Sequence, residues 1–301
     1  MKIIIIAQLR QLLLINLFNI KQNMKSIRKN FILSLCQMKV TTNKEENLRK
    51  AEEIVINAAI NYKSNIVVLP EYFNSPQGMT TTFAEVETES KSLNLLKMLA
   101  KKLGIYLIGG SMPEKDGDKY YNTCYCIDRS GEIAAKYRKI HLFDIDIPNK
   151  LTYKESTTLS AGNKIKLFET EYCKFGIGIC YDMRFPELSQ SLKNKGAEFL
   201  IFPSAFTAYT GSLHWELLQR TRAVDNNCFV ATCSPSRNIE NPKSFQVFGE
   251  SMIIDPFGNV ISKLGYEEGI LQSNINLERI ADIENQIPTL KQKRWDVYNL
   301  N

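Results

Sequence analysis

Short apolar runs alternate with longer amphipathic stretches along the chain. Residues 31–40 form the first apolar run, and apolar residues then recur at helical spacing from 48 to 62. Asn43 lies just before this second stretch and Glu46 follows three residues later, which is the pattern of a helix N-cap. The alternation continues with a predicted strand at 66–69, a helix over about 89–103 and a strand at 105–109. This succession is typical of an α/β protein.

Two pairs of predicted strands are joined by tight turns. The first turn is Arg129-Ser130-Gly131, between strands at 121–128 and 132–137. The second spans 256–259, between strands at 252–255 and 260–264. The segment between the two hairpins predicts strands at 174–179, 198–202 and 228–232 and helices at 186–195 and about 213–227. Hairpins give antiparallel pairs and crossovers give parallel ones, so we expect mixed sheets. No repeat or linker interrupts the pattern, and residues 31–301 are expected to form one domain.

The net charge of +6 is concentrated at the N-terminus. Residues 1–44 hold eight Lys or Arg and no Asp or Glu, which leaves 30 basic and 32 acidic residues in the remainder. The body of the protein therefore lacks the basic surplus of a nucleic-acid-binding protein, and no nucleic-acid partner is expected.

The first 30 residues have a separate composition, basic, acid-free and apolar, and are treated as an extension. Three interpretations stay open: an amphipathic mitochondrial presequence, a secretory signal interrupted by polar residues, or an upstream start with the domain beginning near Met24. No apolar run approaches the ~20 residues that a membrane span needs. We expect a cytoplasmic or mitochondrial protein without a membrane partner.

Seven cysteines are present, and most of them fall in apolar, strand-like runs where a reduced thiol acts as a small hydrophobe. Cys124 and Cys126 form C-x-C, and with two histidines in the chain no zinc ligand set can be assembled. We therefore expect a reducing compartment and no metal site.

Cys180 occupies the most informative position of the seven. It ends the predicted strand at 174–179, and a helix with Pro186 near its first turn begins about six residues later. This arrangement would hold the sulfur on a tight strand-to-helix bend, as in a nucleophile elbow. The backbone N–H after Cys180 would face a carbonyl oxygen, and the nearby helix N-terminus is expected to favour a thiolate.

The proton acceptor for such a thiol is predicted to be a carboxylate. His141 and His214 have no evident Asn or Asp partner in the sequence, and we expect structural, hydrogen-bonded roles for both. Glu71 follows the buried strand at 66–69 directly, and partial burial would raise its pKa. Lys139 lies between a strand and an apolar run, where a desolvated ammonium could stabilise an oxyanion.

Three segments carry a family resemblance: LPEYFNSP at 69–76, KYRKIHLFD at 136–144 and GICYDMRFPEL at 178–188. They resemble the three signature blocks of the nitrilase, or carbon-nitrogen hydrolase, superfamily, with Glu, Lys and Cys in the expected order. The match runs from about 31 to 298. The resemblance implies a four-layer α-β-β-α sandwich with two mixed sheets, a cysteine-dependent amide hydrolase without a cofactor, and a homodimer or larger assembly.

The resemblance also implies roles for further residues. Glu155 corresponds to a second family glutamate that helps to position the lysine and the substrate. Tyr181, through its backbone N–H, together with Phe206 and Thr207, is predicted to form the oxyanion and substrate-binding part of the site.

The ω-amidases, which hydrolyse the terminal amide of α-ketoglutaramate and α-ketosuccinamate, are the most similar subgroup. FNSP, YNTC, KIHLFDIDIP, HWELLQR and QKRWDVY all resemble that group. Gln77 stands where a Tyr is expected, and PSAFT at 203–207 replaces a Pro-Gly-Ala-Phe-Asn run. PSAF and Phe185-Pro186-Glu187 are shared with relatives that act on deaminated glutathione. An ω-amidase is therefore predicted, with a deaminated-glutathione amidase, another carbon-nitrogen hydrolase or a non-catalytic scaffold as alternatives.

Overall fold

The computed structural model of the protein describes residues 29–148, 151–241 and 245–298. The basic extension lies outside these residues except for its last two positions. The described residues form sixteen strands: β1 (Phe31–Gln37), β2 (Ile66–Val68), β3 (Glu85–Val86), β4 (Tyr106–Ile108), β5 (Met112–Asp116), β6 (Lys119–Ile127), β7 (Ile133–Arg138), β8 (Asp144–Ile147), β9 (Leu151–Lys154), β10 (Leu167–Glu169), β11 (Lys174–Ile177), β12 (Phe199–Pro203), β13 (Phe229–Cys233), β14 (Met252–Ile254), β15 (Val260–Lys263) and β16 (Gly269–Ile275).

Six α-helices are described in the same residues, in addition to short 3-10 turns: α1 (Lys44–Ile60), α2 (Thr80–Phe83), α3 (Lys91–Leu103), α4 (Pro186–Asn194), α5 (Ala208–Asn226) and α6 (Glu278–Gln286). None of the helices in the described part of the chain is long and apolar enough to cross a membrane.

Two mixed sheets stack face to face. The first has the order β16-β1-β2-β4-β6-β5-β3, with β7 also paired to β6, and the second has the order β10-β11-β12-β13-β14-β15. In the first sheet β1 pairs in parallel with β2 and antiparallel with β16. In the second, β11, β12 and β13 are parallel and β14 is antiparallel. The predicted mixed sheets are confirmed, and β8 and β9 form a separate hairpin.

Strands of the first sheet are buried on both faces. Ile66 and Val68 belong to the core between the sheets, whereas Val67 and Leu69 belong to the core under the helices. Since successive side chains of a strand point to opposite faces, one short apolar run supplies both cores. The ring of Phe31 crosses to the second sheet, where it contacts Phe175 at 5.9 Å between ring centroids.

Helices cover the outer face of each sheet. α1 and α3 pack their apolar faces on the first sheet, through side chains such as Ala51, Val55 and Leu96. α4 and α5 cover the second sheet with Leu188, Leu192, Trp215 and Ala223. The result is the predicted four-layer α-β-β-α sandwich.

Local signals in the sequence match most helix ends. The Asn43 side chain accepts from the Glu46 N–H at 3.1 Å and caps α1, as predicted. α5 differs, because it begins at Ala208 rather than near 213. Thr207 is its N-cap and accepts from the Thr210 N–H at 3.0 Å. This cap adds a first turn that the apolar spacing did not indicate.

The seven cysteines all lie in the described residues, are buried and form no disulfide. The cysteines in strands are explained by their packing in the core, since a reduced thiol packs as a small apolar group.

A close backbone contact holds the loop that follows β2. Gly110 has φ +61°, and a Cβ placed there would lie 2.0 Å from the Pro70 carbonyl oxygen. The next residue, Ser111, donates its N–H to that oxygen at 3.2 Å. The Ser111 hydroxyl in turn accepts from the Tyr72 N–H at 3.1 Å. The loop that carries Glu71 is thus fixed by a glycine that a larger residue could not replace.

We expect Gly110→Ala to destabilise the protein more than Gly104→Ala. Gly104 has a similar φ of +64° but has nothing within 4 Å of its Cβ position. Both variants bear the roughly 1–2 kcal/mol of a left-handed L-residue. Gly110→Ala adds the clash with Pro70, typically about 1–3 kcal/mol for an overpacked site. Urea unfolding of both variants measures the difference, and equal losses of unfolding free energy would show that the close contact is unimportant.

Candidate active site

Three loops that follow strands bring the predicted side chains together. Glu71 comes three residues after β2, Lys139 directly follows β7, and Cys180 comes three residues after β11. All three side chains are buried, with 1% of Glu71 and 2% of Lys139 exposed. The structure therefore places the predicted Glu, Lys and Cys in one cluster, and Glu155 joins them there.

Glu71 is held by three hydrogen-bond donors. Its Oε1 accepts from the Asn122 side-chain amide at 2.9 Å and faces Lys139 Nζ at 3.4 Å. Its Oε2 accepts from the Ala205 backbone N–H at 2.7 Å. Burial raises the pKa of Glu71, the charge of Lys139 opposes this, and the Glu155 charge raises it further. The expected upward shift is confirmed.

Lys139 lies between two carboxylates. Its Nζ is 2.9 Å from Glu155 Oε2 and 3.4 Å from Glu71 Oε1. Burial alone would lower the pKa of Lys139, but the charges of Glu155 and Glu71 outweigh it and hold the pKa well above its ordinary value. The ammonium is therefore fully charged at neutral pH.

Glu155 is buried at the start of a 3-10 turn after β9. Besides Lys139, it accepts from the Phe143 backbone N–H at 2.7 Å and from the Tyr72 hydroxyl at 3.4 Å. These contacts fix the carboxylate against Lys139, the position that the family resemblance implied for it.

Cys180 lies on a strained bend. Its φ is +47°, an uncommon value for a residue with a side chain, and it begins a 3-10 turn that ends at Arg184 before α4. This is the predicted elbow. The thiol lies close enough to the Glu71 carboxylate and to the Ala205 N–H for both to affect its pKa.

The expectation of a thiolate is wrong for the free protein. Burial and the negative charge of Glu71 raise the pKa of Cys180 well above its ordinary value, although Lys139 and the Ala205 N–H act in the opposite direction. The turn at Cys180 is too short to supply a strong helix dipole, because that effect depends on many aligned peptide units. The sulfur therefore keeps its proton in the free protein.

Asp182 connects the Cys180 bend to the Lys139 strand. It is fully buried and accepts from the Ile179 N–H at 2.9 Å and from the Tyr137 hydroxyl at 2.7 Å. It also accepts from the His141 N–H at 2.9 Å. Because Tyr137 and His141 flank Lys139 in the chain, one carboxylate fixes Cys180 and Lys139 relative to each other.

Both histidines have hydrogen-bonded, structural positions, as predicted. His141 does have an Asp partner: its Nδ1 is 2.8 Å from Asp182 Oδ1, and its ring stacks on Phe185. The sequence could not show this pair, since the partners are 41 residues apart. His214 Nδ1 lies 3.2 Å from Arg184. Neither ring lines the cleft at Cys180.

The cluster opens into a small cleft of about 60 Å³. Its walls combine the four site residues with aromatic rings and a few polar groups, namely Gln77, Gly78, Phe143, Tyr153, Tyr181, Arg184, Ala205, Phe206, Thr210 and Phe245. The predicted residues Tyr181 and Phe206 lie in this wall. Among the residues where the sequence departs from the ω-amidase pattern, Gln77 also lies there. Thr207 and Ser204 are not among the lining residues, and the Ser204 hydroxyl donates to the Phe202 carbonyl at 3.0 Å.

Arg184 is a half-buried cation on the wall of the cleft. Burial lowers its pKa, and its guanidinium lies 4.8 Å from the centre of the Phe206 ring. Within the described residues it forms no ion pair with a carboxylate. A buried cation without an anionic neighbour is suited to bind an anionic group of a small molecule.

Sequence reasoning missed several groups at the site. Asn122, Tyr72, Asp182 and Arg184 all fall within segments that carried the family resemblance, but their spacing gave no sign of their contacts. The described residues contain no group of three or more His, Cys, Asp or Glu that could hold a metal ion.

Comparisons with known proteins agree with this geometry. Residues 32–285 match the carbon-nitrogen hydrolase family. "Omega-amidase NIT2" of Mus musculus is 50% identical over 272 residues, covering 90% of this chain and 97% of that protein. The proteins of the same name from Danio rerio and Homo sapiens are 48% and 47% identical, with the same 97% coverage of each relative.

Solved structures give the same result. Saccharomyces cerevisiae Nit3, a member of branch 10 of the nitrilase superfamily, has a TM-score of 0.81 and 38% identity, covering 88% of this chain and 97% of that chain. The C. elegans NitFhit protein has a TM-score of 0.79 and 32% identity, covering 90% of this chain and 66% of that one. The chain therefore belongs to the carbon-nitrogen hydrolase family and is an amidohydrolase of the nitrilase superfamily.

Proposed function

We propose that the protein is an ω-amidase with Cys180 as nucleophile. It hydrolyses the terminal amide of small ω-amido 2-oxo acids, such as α-ketoglutaramate and α-ketosuccinamate, to a carboxylate and ammonia. The observation that carries the proposal is the convergence of Glu71, Lys139 and Cys180 in a buried cleft. The ω-amidase relatives at 47–50% identity support the substrate class.

The first half of the reaction forms a thioester. Glu71 accepts the Cys180 proton as the sulfur attacks the amide carbon, and the carbonyl oxygen becomes an oxyanion near Lys139 Nζ and the Tyr181 N–H. Glu71 then gives its proton to the amide nitrogen, the C–N bond breaks and ammonia leaves.

The second half hydrolyses the thioester. Glu71 removes a proton from a water molecule as its oxygen attacks the thioester carbon, and the new oxyanion is stabilised by the same two donors. The C–S bond breaks, the sulfur recovers its proton from Glu71, and the product leaves as a carboxylic acid that loses its remaining proton to solvent and becomes a carboxylate.

The position of Arg184 favours substrates whose acyl group carries a negative charge. The cleft has room for a short chain, and the guanidinium beside Phe206 offers a pair of donors that match a carboxylate. The 2-oxo acids of the proposal carry such a carboxylate at the end opposite to the amide. A deaminated-glutathione amidase is the second candidate, favoured by Gln77 in the cleft wall and by the PSAF segment.

Assembly and location are part of the same proposal. α5 lies beside the site and exposes Leu213, Leu217 and Val224, which suits the homodimer or larger assembly that the family resemblance implies. Sedimentation showing a monomer at working concentrations would contradict it. We further propose a cytoplasmic or mitochondrial protein with one domain over 31–301.

Cys180→Ala should abolish ammonia release from α-ketoglutaramate, because no thioester can form. Loss of a nucleophile typically costs at least about 1,000-fold in kcat. Lys139→Ala, which removes one oxyanion donor, should cost roughly 100- to 1,000-fold. The matched control is Cys228→Ala, a buried cysteine away from the cleft, which should retain activity. Ammonia release at the parent rate by a folded Cys180→Ala protein would refute the mechanism.

The acid limb of the pH profile should report Glu71. Glu71 must be ionised to accept the thiol proton, and its raised pKa means that it is protonated at a higher pH than an exposed glutamate. kcat/KM should therefore rise with pH through an apparent pKa above the usual glutamate range. Asn122→Ala removes a donor that favours the ionised form, so the limb should move to higher pH. Asn57→Ala, at an exposed position of α1, serves as control, and an unmoved limb in Asn122→Ala would assign the limb to another group.

Arg184→Gln should discriminate against anionic amides. A hydrogen bond to a charged group is worth roughly 1.5–3 kcal/mol, or about 10- to 150-fold in kcat/KM. We expect this loss for α-ketoglutaramate and little change for butanamide, a neutral primary amide, measured by ammonia release. Arg49→Gln, on the exposed face of α1, is the control. An equal loss for both amides would show that Arg184 supports the fold rather than the substrate.

A further inference from the structure

A second cavity lies beside the catalytic cleft and is larger, with a volume of about 340 Å³. Three residues line both spaces: Glu71, Gln77 and Phe245. Cys180, Lys139 and Arg184 line the cleft alone. The two spaces therefore adjoin each other at these three residues, and Arg184, the cation that suits the acyl group, lies on the wall that the second cavity does not share.

The proposed reaction determines which end of the substrate faces each of the two spaces. Glu71 transfers a proton to the departing nitrogen, so that nitrogen must face Glu71 within hydrogen-bond reach. The acyl chain, if its carboxylate binds Arg184, extends the other way. Any substituent on the nitrogen would then project past Gln77 and Phe245 into the second cavity.

The lining of the second cavity selects the kind of substituent. Among the described residues it presents hydroxyl and amide groups, including those of Thr42, Ser236 and Asn238, and Glu71 is the one charged side chain in that lining. Ser75 is 1% exposed, and its hydroxyl has no hydrogen-bond partner among the described residues. Such a hydroxyl gains most from a ligand that can bond to it. An anionic substituent would lie beside the Glu71 carboxylate, and the described residues that line this cavity include no basic side chain.

We propose that the second cavity is a leaving-group subsite, which admits secondary amides whose nitrogen carries a small, neutral, hydrogen-bonding substituent. The protein then releases a small amine in place of ammonia. The sulfur bonds to the acyl carbon, the C–N bond breaks, the amine nitrogen takes the proton from Glu71, and water hydrolyses the thioester as before. This inference rests on the proposed function.

The test uses the full chain and three substrates that share one acyl group: α-ketoglutaramate, its N-(2-hydroxyethyl) amide and its N-(carboxymethyl) amide. All three give the same 2-oxo dicarboxylic acid, which chromatography quantifies. We expect the hydroxyethyl amide to be hydrolysed with a kcat/KM within about 12-fold of the primary amide, the upper range for one neutral hydrogen bond. The carboxymethyl amide should be much poorer than both.

Two variants assign the effect to the cavity. Ser75→Ala should lower kcat/KM for the hydroxyethyl amide by about 2- to 12-fold, the value of one neutral hydrogen bond, and leave the primary amide unchanged. Thr42→Trp places a large side chain at an exposed position of the cavity wall and should block the hydroxyethyl amide selectively. Thr289→Trp, exposed and remote from both spaces, is the matched control.

The outcomes separate this inference from the proposed function. If the parent protein does not hydrolyse α-ketoglutaramate, the proposed function fails. If it hydrolyses the primary amide but not the hydroxyethyl amide, the leaving-group subsite is refuted. The subsite is equally refuted if Thr42→Trp affects both amides alike, or if the carboxymethyl amide is as good a substrate as the hydroxyethyl amide.

Discussion

The buried ion group of Glu71, Lys139 and Glu155 is the constraint on which the site depends. Removing two carboxylates and an ammonium from water costs several kcal/mol per ion unless each finds close partners. The ammonium lies between the carboxylates, and the remaining oxygens are satisfied by backbone and side-chain donors such as the Ala205 and Phe143 N–H groups. The loops around the site therefore have little freedom, because each must supply a donor at a fixed place.

A second buried carboxylate, Asp182, determines where the proposed nucleophile lies. Cys180 adopts a left-handed backbone conformation that costs of order 1–3 kcal/mol for a residue with a side chain. Asp182 stabilises this bend through the Ile179 N–H and ties it to residues on both sides of Lys139. The strain is thus compensated by hydrogen bonds that also fix the distance between sulfur and ammonium. Elements from two sheets form one rigid unit in this way.

The sequence predicts the parts of this unit that depend on local pattern. Apolar runs indicate the strands that end shortly before Glu71, Lys139 and Cys180. Short-range hydrogen bonding indicates the Asn43 helix cap. The antiparallel pairing of β1 with β16 joins residues far apart in the chain, and no local signal specifies it. The same is true of the His141–Asp182 pair and of the Asn122 contact to Glu71. The sequence also could not show that Cys180 is protonated, because its pKa depends on burial and on a neighbouring charge that only the folded chain provides.

The charges at the site explain why one carboxylate can serve every proton transfer of the proposed mechanism. Glu71, Glu155, Lys139 and a protonated Cys180 together have a net charge of −1. Moving the thiol proton to Glu71 leaves that total unchanged, so no additional charge is buried as the reaction begins. The negative charge moves from Glu71 through sulfur to the substrate oxygen, which the mechanism places near Lys139. Lys139, 3.4 Å from Glu71 in the resting protein, then loses an anionic partner on one side and gains one on the other. Because Glu155 holds the ammonium in place throughout, the attraction to the oxyanion requires little reorganisation, and this preorganisation is the main contribution that a buried ion group can make to catalysis.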